Sequence, residues 1–466
     1  MVEFIAMFPH PPIAVPEVGG AETAKVNATE KAMENLAQEI AAVRPQVIVA
    51  ISPHGHVFSD AITITALSVL EGDLGQFGAS GIKMAYPLAE QAADFIRESC
   101  RGSQISCYAL DKEILRKYKL SMKLDHGLVV PFSFLKKAGW QGEIVPVNMA
   151  FLPYEELYHF GKLLNEGMEK LGKKWVLLVS GDMSHRLTAD ANAGYSPQGA
   201  VFDNTVRQCL ARGDVRKILD LDPELIEEAG ECALRPLVMG LGVLDGYEMK
   251  TRELSYEGPF GVGYLVCKIE AGSYNKDREY VEEFYKRRKE HSRRGRIKES
   301  EPVRLARESI HTYLTTGKQL KAAQNEQGLF AQQAGAFVSL KKHRRLRGCI
   351  GTIEPTQENL GQEIIKNALS AALHDPRFEP LQIEELEDVT ISVDVLEKPE
   401  AIDTTAQLDP KRYGVIVTRG NRRGLLLPDL PGIENAAEQV RIAKEKAGIM
   451  PQEKVALERF RVTRYV

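Results

Sequence analysis

From residue 1 to about 270, short apolar runs alternate with stretches of helical spacing. VEFIAMF, QVIVAIS, EIVPVNM and WVLLVS read as strands, and GVGYLVCKIEAG as the last of the series. Between the first two lies ETAKVNATEKAMENLAQEIAAV, whose Met33, Leu36, Ile40 and Val43 fall on one helical stripe. Strands that are apolar throughout, separated by amphipathic helices, need cover on both faces of their sheet. The pattern predicts an α/β domain over residues 1–272, with a mostly parallel or mixed central sheet flanked by helices.

A chain of 466 residues is too long for one core, and roughly two to four domains are expected. Composition changes at residues 273–300, a densely charged stretch read as a linker or exposed helix. Glu279, Glu282, Glu283 and Glu290 interleave with its basic residues, which argues against a nucleic-acid surface. A second unit, 301–466, mixes the strand-like GAFVSLKK, LRGCIGTI, DVTISVDVLE and GVIVTR with helical EPVRLARESIHTYL and NLGQEIIKNALSAAL. An α+β domain is expected there. No apolar run is long enough to span a membrane, and MVEFIAMFPHPP lacks the basic start of a signal peptide. Six cysteines are scattered without a C-x-x-C pair, as in a reduced, cytoplasmic protein. A net charge of −4 makes nucleic acid an unlikely partner, and nothing in the pattern fixes an oligomeric state; a homo-oligomer is allowed.

Histidines stand where the predicted strands end. His10 follows the first strand, His54 and His56 the second, and His185 closes SGDMSHRL after WVLLVS. His126 lies in LDHG, and Glu231 in GECALRPL at a predicted helix start. Ligands of open α/β sheets bind beyond the carboxyl ends of strands, so these groups can converge. Two neutral imidazoles and a carboxylate on one face of a metal leave open positions opposite. That set serves Fe(II) in oxygen chemistry and also catalytic zinc. Singly, each residue has a structural reading: His10 caps a turn, Asp182 or Ser184 fixes the loop of His185, and Glu231 sits on a helix dipole.

FPHPPI, SPHGHVF, LDHG, SGDMSHRL and GECALRPL, in this order, resemble the class III extradiol dioxygenase family, typified by the B subunit of protocatechuate 4,5-dioxygenase and including Memo-like proteins. The resemblance implies Fe(II) held by His10, His54 and Glu231, with His185 as acid/base and His126 either supporting the ligands or facing substrate. His56 departs from the pattern by adding an imidazole beside His54, and Asp182 could ligate or support. The resemblance implies that a small aromatic, catechol-like substrate and O₂ would meet at the metal. It also admits members that keep the fold without ring cleavage, which leaves a silent metal-binding interaction protein or a zinc hydrolase as alternatives.

In the second unit, Cys349 beside Arg347 could be an activated thiol or a small buried strand residue. FVSLKKHRRLRGCIGTIEP, AALHDPRFEPL and ISVDVLEKPEAI resemble the AMMECR1 family, which has no settled activity. That resemblance makes Arg347, Cys349, Asp375 and Arg377 weak candidates for one surface site. Lys341, Lys342, His343, Arg344, Arg345 and Arg347 form a basic cluster read as a solvated face. The order of the two resemblances is similar to paired components of a prokaryotic system that includes a radical S-adenosylmethionine protein, which makes such a protein an expected partner.

Overall fold

The computed structural model describes residues 2–103, 105–321, 328–342, 345–430 and 433–466. The chain divides into two compact units, Met1–Lys286 and Arg287–Val466.

Among its described residues the first unit carries ten strands: β1 (Ile5–Phe8), β2 (Val47–Ser52), β3 (Ile62–Thr65), β4 (Val69–Leu74), β5 (Ala79–Pro87), β6 (Cys107–Leu110), β7 (Glu143–Asn148), β8 (Trp175–Ser180), β9 (Tyr247–Glu257) and β10 (Tyr264–Tyr274). Eight form one sheet in the order β6-β3-β7-β2-β8-β1-β10-β9, while β4 and β5 make a separate hairpin. The middle of the sheet, β7-β2-β8-β1, is parallel; β10 and β9 extend it antiparallel, and β3 meets β7 antiparallel. The sheet is therefore mixed.

Alternate residues of these strands feed two cores, as the pleat requires. Ile5, Met7, Val49, Ile51, Leu177 and Val179 join one cluster; Ala6, Phe8, Ile48, Ala50, Val176 and Leu178 join the other. The first cluster is covered by helices Glu90–Cys100, Tyr154–Leu171 and Leu234–Gly242, the second by Asn27–Val43 and His126–Lys137. Double burial explains why the central strands are apolar at every position. The helical pattern that begins near Glu22 starts as a 3-10 segment, Gly20–Val26, and becomes α-helical only at Asn27. The charged stretch after β10 holds a 3-10 turn and the helix Val281–Ile297, whose first turn buries Val281 and Phe284 in the first unit.

The second unit is built on two four-stranded sheets. One runs β12 (Arg345–Gly351), β11 (Ala336–Lys342), β13 (Val389–Leu396) and β18 (Val462–Tyr465), all antiparallel. Helices Glu301–Thr316 and Leu360–Leu373 cover its Val338–Leu340 face through Val303, Ile310, Ile364 and Ala368. The other sheet runs β14 (Glu400–Ile402), β17 (Ala456–Phe460), β15 (Gly414–Arg419) and β16 (Arg422–Leu426), backed by the helix Ala436–Lys446. This is an α+β arrangement. Among the described residues no helix is long and apolar enough to cross a membrane.

Candidate metal centre

Strands β2, β8 and β1 are neighbours and parallel, so their carboxyl ends open at one place. His54 and His10 lie two residues beyond β2 and β1; Asp182 and His185 follow β8. The Nε2 atoms of His10 and His54 are 3.0 Å apart. The His126 ring, at the start of its helix, stacks on His54 with centroids 4.7 Å apart and stands edge-on to His10 at 5.3 Å.

Two hydrogen bonds fix the position of His10. Its backbone N–H donates to Asp182 Oδ1 at 2.8 Å, and its Nδ1 lies 2.9 Å from Ser180 Oγ. Ser180 spends its own proton on the carbonyl of Gly127, so its oxygen accepts from His10 Nδ1–H. That assigns the proton to Nδ1 and leaves the Nε2 lone pair free to face His54. Burial, reinforced by the neighbouring His126 and His185, holds His10 well below the usual imidazole range. Burial and His10 bring His54 down to about 3. Both rings are neutral donors at neutral pH, the form a metal requires. Burial also lowers His185, against the pull of Asp182, and raises Asp182 to about 6.

The two imidazoles share their cluster with a thiol rather than with the carboxylate the sequence suggests. His10, His54 and Cys232 offer ligand atoms that all lie within 4.8 Å of one another. Cys232 Sγ sits 3.7 Å from His10 Nε2 and 3.8 Å from His185 Nε2, and accepts the Asp182 N–H at 3.2 Å. Glu231, one residue earlier, turns the other way. Its Oε2 accepts the N–H of Leu234 at 2.6 Å, capping the helix Leu234–Gly242, and burial raises it to about 7. Glu231 thus takes the helix-terminus role that its position also allowed, and it is absent from the donor cluster. The close fit that selects Cys232 is made by Gly181: a Cβ there would lie 2.4 Å from Ala233 Cα. Without a side chain at 181, the loop after β8 packs directly on the 232–233 backbone.

His56 is also placed elsewhere. Its Nε2 meets the carbonyl of Ser121 at 2.9 Å, away from His10. Gly55 between the two histidines has Asn148 Oδ1 1.8 Å from where a Cβ would stand, so the turn that parts them requires glycine. Asp125, which the sequence did not single out, accepts the Ser52 hydroxyl at 2.6 Å, and that hydroxyl oxygen accepts the His54 N–H at 3.1 Å. Its signal was its place before His126, at a helix N-terminus.

The donor set answers what it can hold. Two neutral imidazoles suit zinc, copper or iron; a thiol as third donor shifts preference toward Cu(I) or Zn(II) and away from the carboxylate facial triad of Fe(II) oxygenases.

In the second unit Cys349, Asp375 and Arg377 do come together. Asp375 Oδ2 accepts the Cys349 N–H at 2.9 Å and an Arg377 Nη2 bond at 2.7 Å; Arg377 also reaches the Cys349 carbonyl at 3.2 Å. The Cys349 thiol receives the Ser339 hydroxyl proton at 3.2 Å. Arg347 is apart from them, forked on Glu385 with Nη2 2.8 Å away. Lys342 joins Glu385 too, so two cations of the basic cluster share one carboxylate while Lys341 is exposed; His343 and Arg344 lie outside the described residues.

A mixed sheet that delivers neutral imidazoles and a thiol to its strand ends defines an α/β domain with a potential metal centre. Residues 4–267 match the family described as catalytic LigB subunit of aromatic ring-opening dioxygenase, and residues 303–465 match AMMECR1. The chain belongs to the LigB family, in a form fused to an AMMECR1 domain. A protein of Clostridium acetobutylicum is 41% identical over 461 residues, covering 98% of each chain, so the fusion recurs. A Thermotoga maritima protein is 48% identical over 166 residues, 35% of this chain and 95% of its own. Among solved structures, an uncharacterised Escherichia coli K12 protein shares 18% identity over 50% of this chain and 91% of its own, with a TM-score of 0.37. A Pyrococcus horikoshii protein shares 33% over 35% of this chain and 88% of its own, with a TM-score of 0.33.

Proposed function

We propose that the N-terminal domain is a metal-binding domain in which His10, His54 and Cys232 hold a thiophilic transition ion, Cu(I) or Zn(II). One observation carries this reading: the Cys232 thiol, not the Glu231 carboxylate, shares a 4.8 Å cluster with the two imidazoles. When bound, such an ion supplies a Lewis-acidic or one-electron centre. The surrounding residues have separable tasks. Ser180 holds the His10 ring in the tautomer that presents Nε2. Cys232 must give up its proton to ligate, and His185 Nε2, 3.8 Å from the sulfur, is the base placed to take it. Asp182 accepts the His10 N–H and so keeps that loop in register with β8.

The test is metal content after anaerobic loading of the full-length protein and its variants. Cys232→Ser should lose the metal and Glu231→Gln should keep it. The reverse pattern would replace the thiol by the carboxylate.

A second reading is favoured by the LigB family match: Fe(II)-dependent opening of a small aromatic diol by O₂, with His185 as the acid/base. It requires Glu231 to leave the Leu234 N–H and turn toward the imidazoles. Oxygen consumption by the iron-loaded protein over a catechol panel decides it; no uptake above the metal-free control removes ring opening.

A further inference from the structure

The helix Glu90–Cys100 and strand β6 each bring a cysteine into the same core layer. Ala92, Ala93, Ile96 and Cys100 make the buried stripe of the helix, at the spacing of one helical face. On β6 the pleat turns Cys107 inward and leaves Tyr108 exposed. Cys100 is buried within the first core cluster, and Cys107 packs half-buried at its margin.

The connection between them is held at both ends. The Ser103 N–H and hydroxyl donate to the Cys100 carbonyl at 3.1 and 2.8 Å, and the Ile105 N–H donates to the Ser103 hydroxyl oxygen at 3.1 Å. The Ile62 N–H, on β3, fixes the Ser106 carbonyl at 3.0 Å, and Ile62 stands opposite Cys107 in the parallel pair of β3 and β6. A hydrogen bond joins the thiols of Cys107 and Cys100. That bond and burial hold the Cys107 thiol well above its ordinary range, against the pull of Arg97. Arg97 lies one turn before Cys100. Its Nη1 donates to Asp94 at 2.9 Å, while its buried Nε has no hydrogen-bond partner among the described residues. Neither sulfur belongs to the cluster of His10, His54 and Cys232.

Adjacent thiols can hold a soft metal ion or close to a disulfide. The ion requires thiolates, and each is a charge in apolar surroundings. A disulfide is neutral, suits that burial, and joins sulfurs that already share a hydrogen bond.

We infer that Cys100 and Cys107 form a reversible oxidation site, closed to a disulfide by a hydroperoxide. Cys107, the more exposed sulfur, attacks the O–O bond of hydrogen peroxide and becomes a sulfenic acid, releasing one water. The Cys100 sulfur then displaces the sulfenic hydroxyl, which leaves with the Cys100 proton as a second water. Two thiols and one peroxide give one disulfide and two waters. A dithiol reductant reopens the bond, so the site also works in a reducing compartment. The disulfide ties the end of the helix to an edge strand of the sheet. The inference is independent of the metal-centre reading.

Reduced full-length protein would be treated with hydrogen peroxide, alkylated and mapped by peptide mass spectrometry. One crosslink, Cys100 to Cys107, should appear, lighter than its two thiol peptides by two hydrogens, and dithiothreitol should remove it. In Cys100→Ser the crosslink should be lost, and a 1,3-dione probe should label Cys107 several-fold more than in wild type, because no thiol is left to resolve the sulfenic acid. Cys107→Ser should show neither crosslink nor label at Cys100. The wild-type map needs no variant to fold. Both thiols still free for alkylation after methionines elsewhere in the chain have been oxidised would overturn the site. A crosslink from either cysteine to Cys232, or Cys107 driven to the sulfinic acid with Cys100 still a thiol, would overturn the pairing.

Discussion

Two cysteines, one in each unit, sit in opposite electrostatic surroundings. Cys232 faces imidazoles that burial keeps uncharged. Cys349 lies against ionised groups: Arg377 and Asp375 form a fork in which the arginine holds the Asp375 carboxyl well below its usual range. Nearby, burial works against the Glu385 carboxylate, but Arg347, the Gln382 N–H and Lys342 overcome it and bring it to about 2. The first arrangement gathers nitrogen and sulfur lone pairs around one point. The second pairs Asp375 with Arg377, and Glu385 with Arg347 and Lys342. Converging lone-pair donors mark a binding site better than charged residues paired with one another.

The comparison can be broken most directly at the cysteines. Cys232→Ser should weaken metal binding by more than about 100-fold, whereas Cys349→Ser should leave metal content unchanged. Equal losses, read by metal analysis, would mean that the two surroundings do not differ as described. Asp375→Ala should destabilise the second unit by about 2–3 kcal/mol in denaturant unfolding, because it strands Arg377 and the Cys349 N–H. No change in the unfolding midpoint would show that the fork is ornamental.

A finer contrast comes from Ser180→Ala. It frees His10 Nδ1 and should cost about 10- to 100-fold in metal affinity while the melting temperature holds to within a few degrees. Unaltered affinity would show that the tautomer is set by something other than the serine.

Acid sharpens the contrast with the smallest signal. Glu385 is lowered from 4.5 to about 2, so its contribution is full above pH 4.5 and is lost as pH falls toward 2. Asp203 in the first unit has the opposite sign. Burial raises it from 3.8 to about 6, although it accepts the Tyr256 hydroxyl at 2.6 Å and the Ser184 N–H at 2.8 Å. Its folded form holds a proton more tightly than its unfolded form, so the first unit loses stability as pH rises through that window. Hydrogen exchange resolved by unit should show protection falling toward pH 2 around Glu385, and falling from pH 4 to 6 around Asp203. Asp203→Asn should flatten only the latter.

Much of this was legible in the sequence. The doubly apolar strands announced a covered sheet, and the histidines after them marked where ligands would gather, because chain direction alone puts His10, His54 and His185 at strand ends. The second unit's main strands and helices followed from their periodicity. What was not legible were the short or half-exposed strands β3, β4, β5, β6 and β9, whose pairing partners rather than their composition make them strands.

Sequence by itself determined the layered fold, the fused second domain and the two imidazoles, since these depend on periodicity and chain direction. Tertiary structure decided the rest of the site. Glu231 and Cys232 are adjacent, as are the choices between His54 and His56, and neighbours on a loop point to different sides. Which side faces the imidazole cluster depends on contacts from remote segments: Gly181 against Ala233, Asn148 against Gly55, and Ser121 on His56. Spacing cannot encode a direction that is set only when those segments meet.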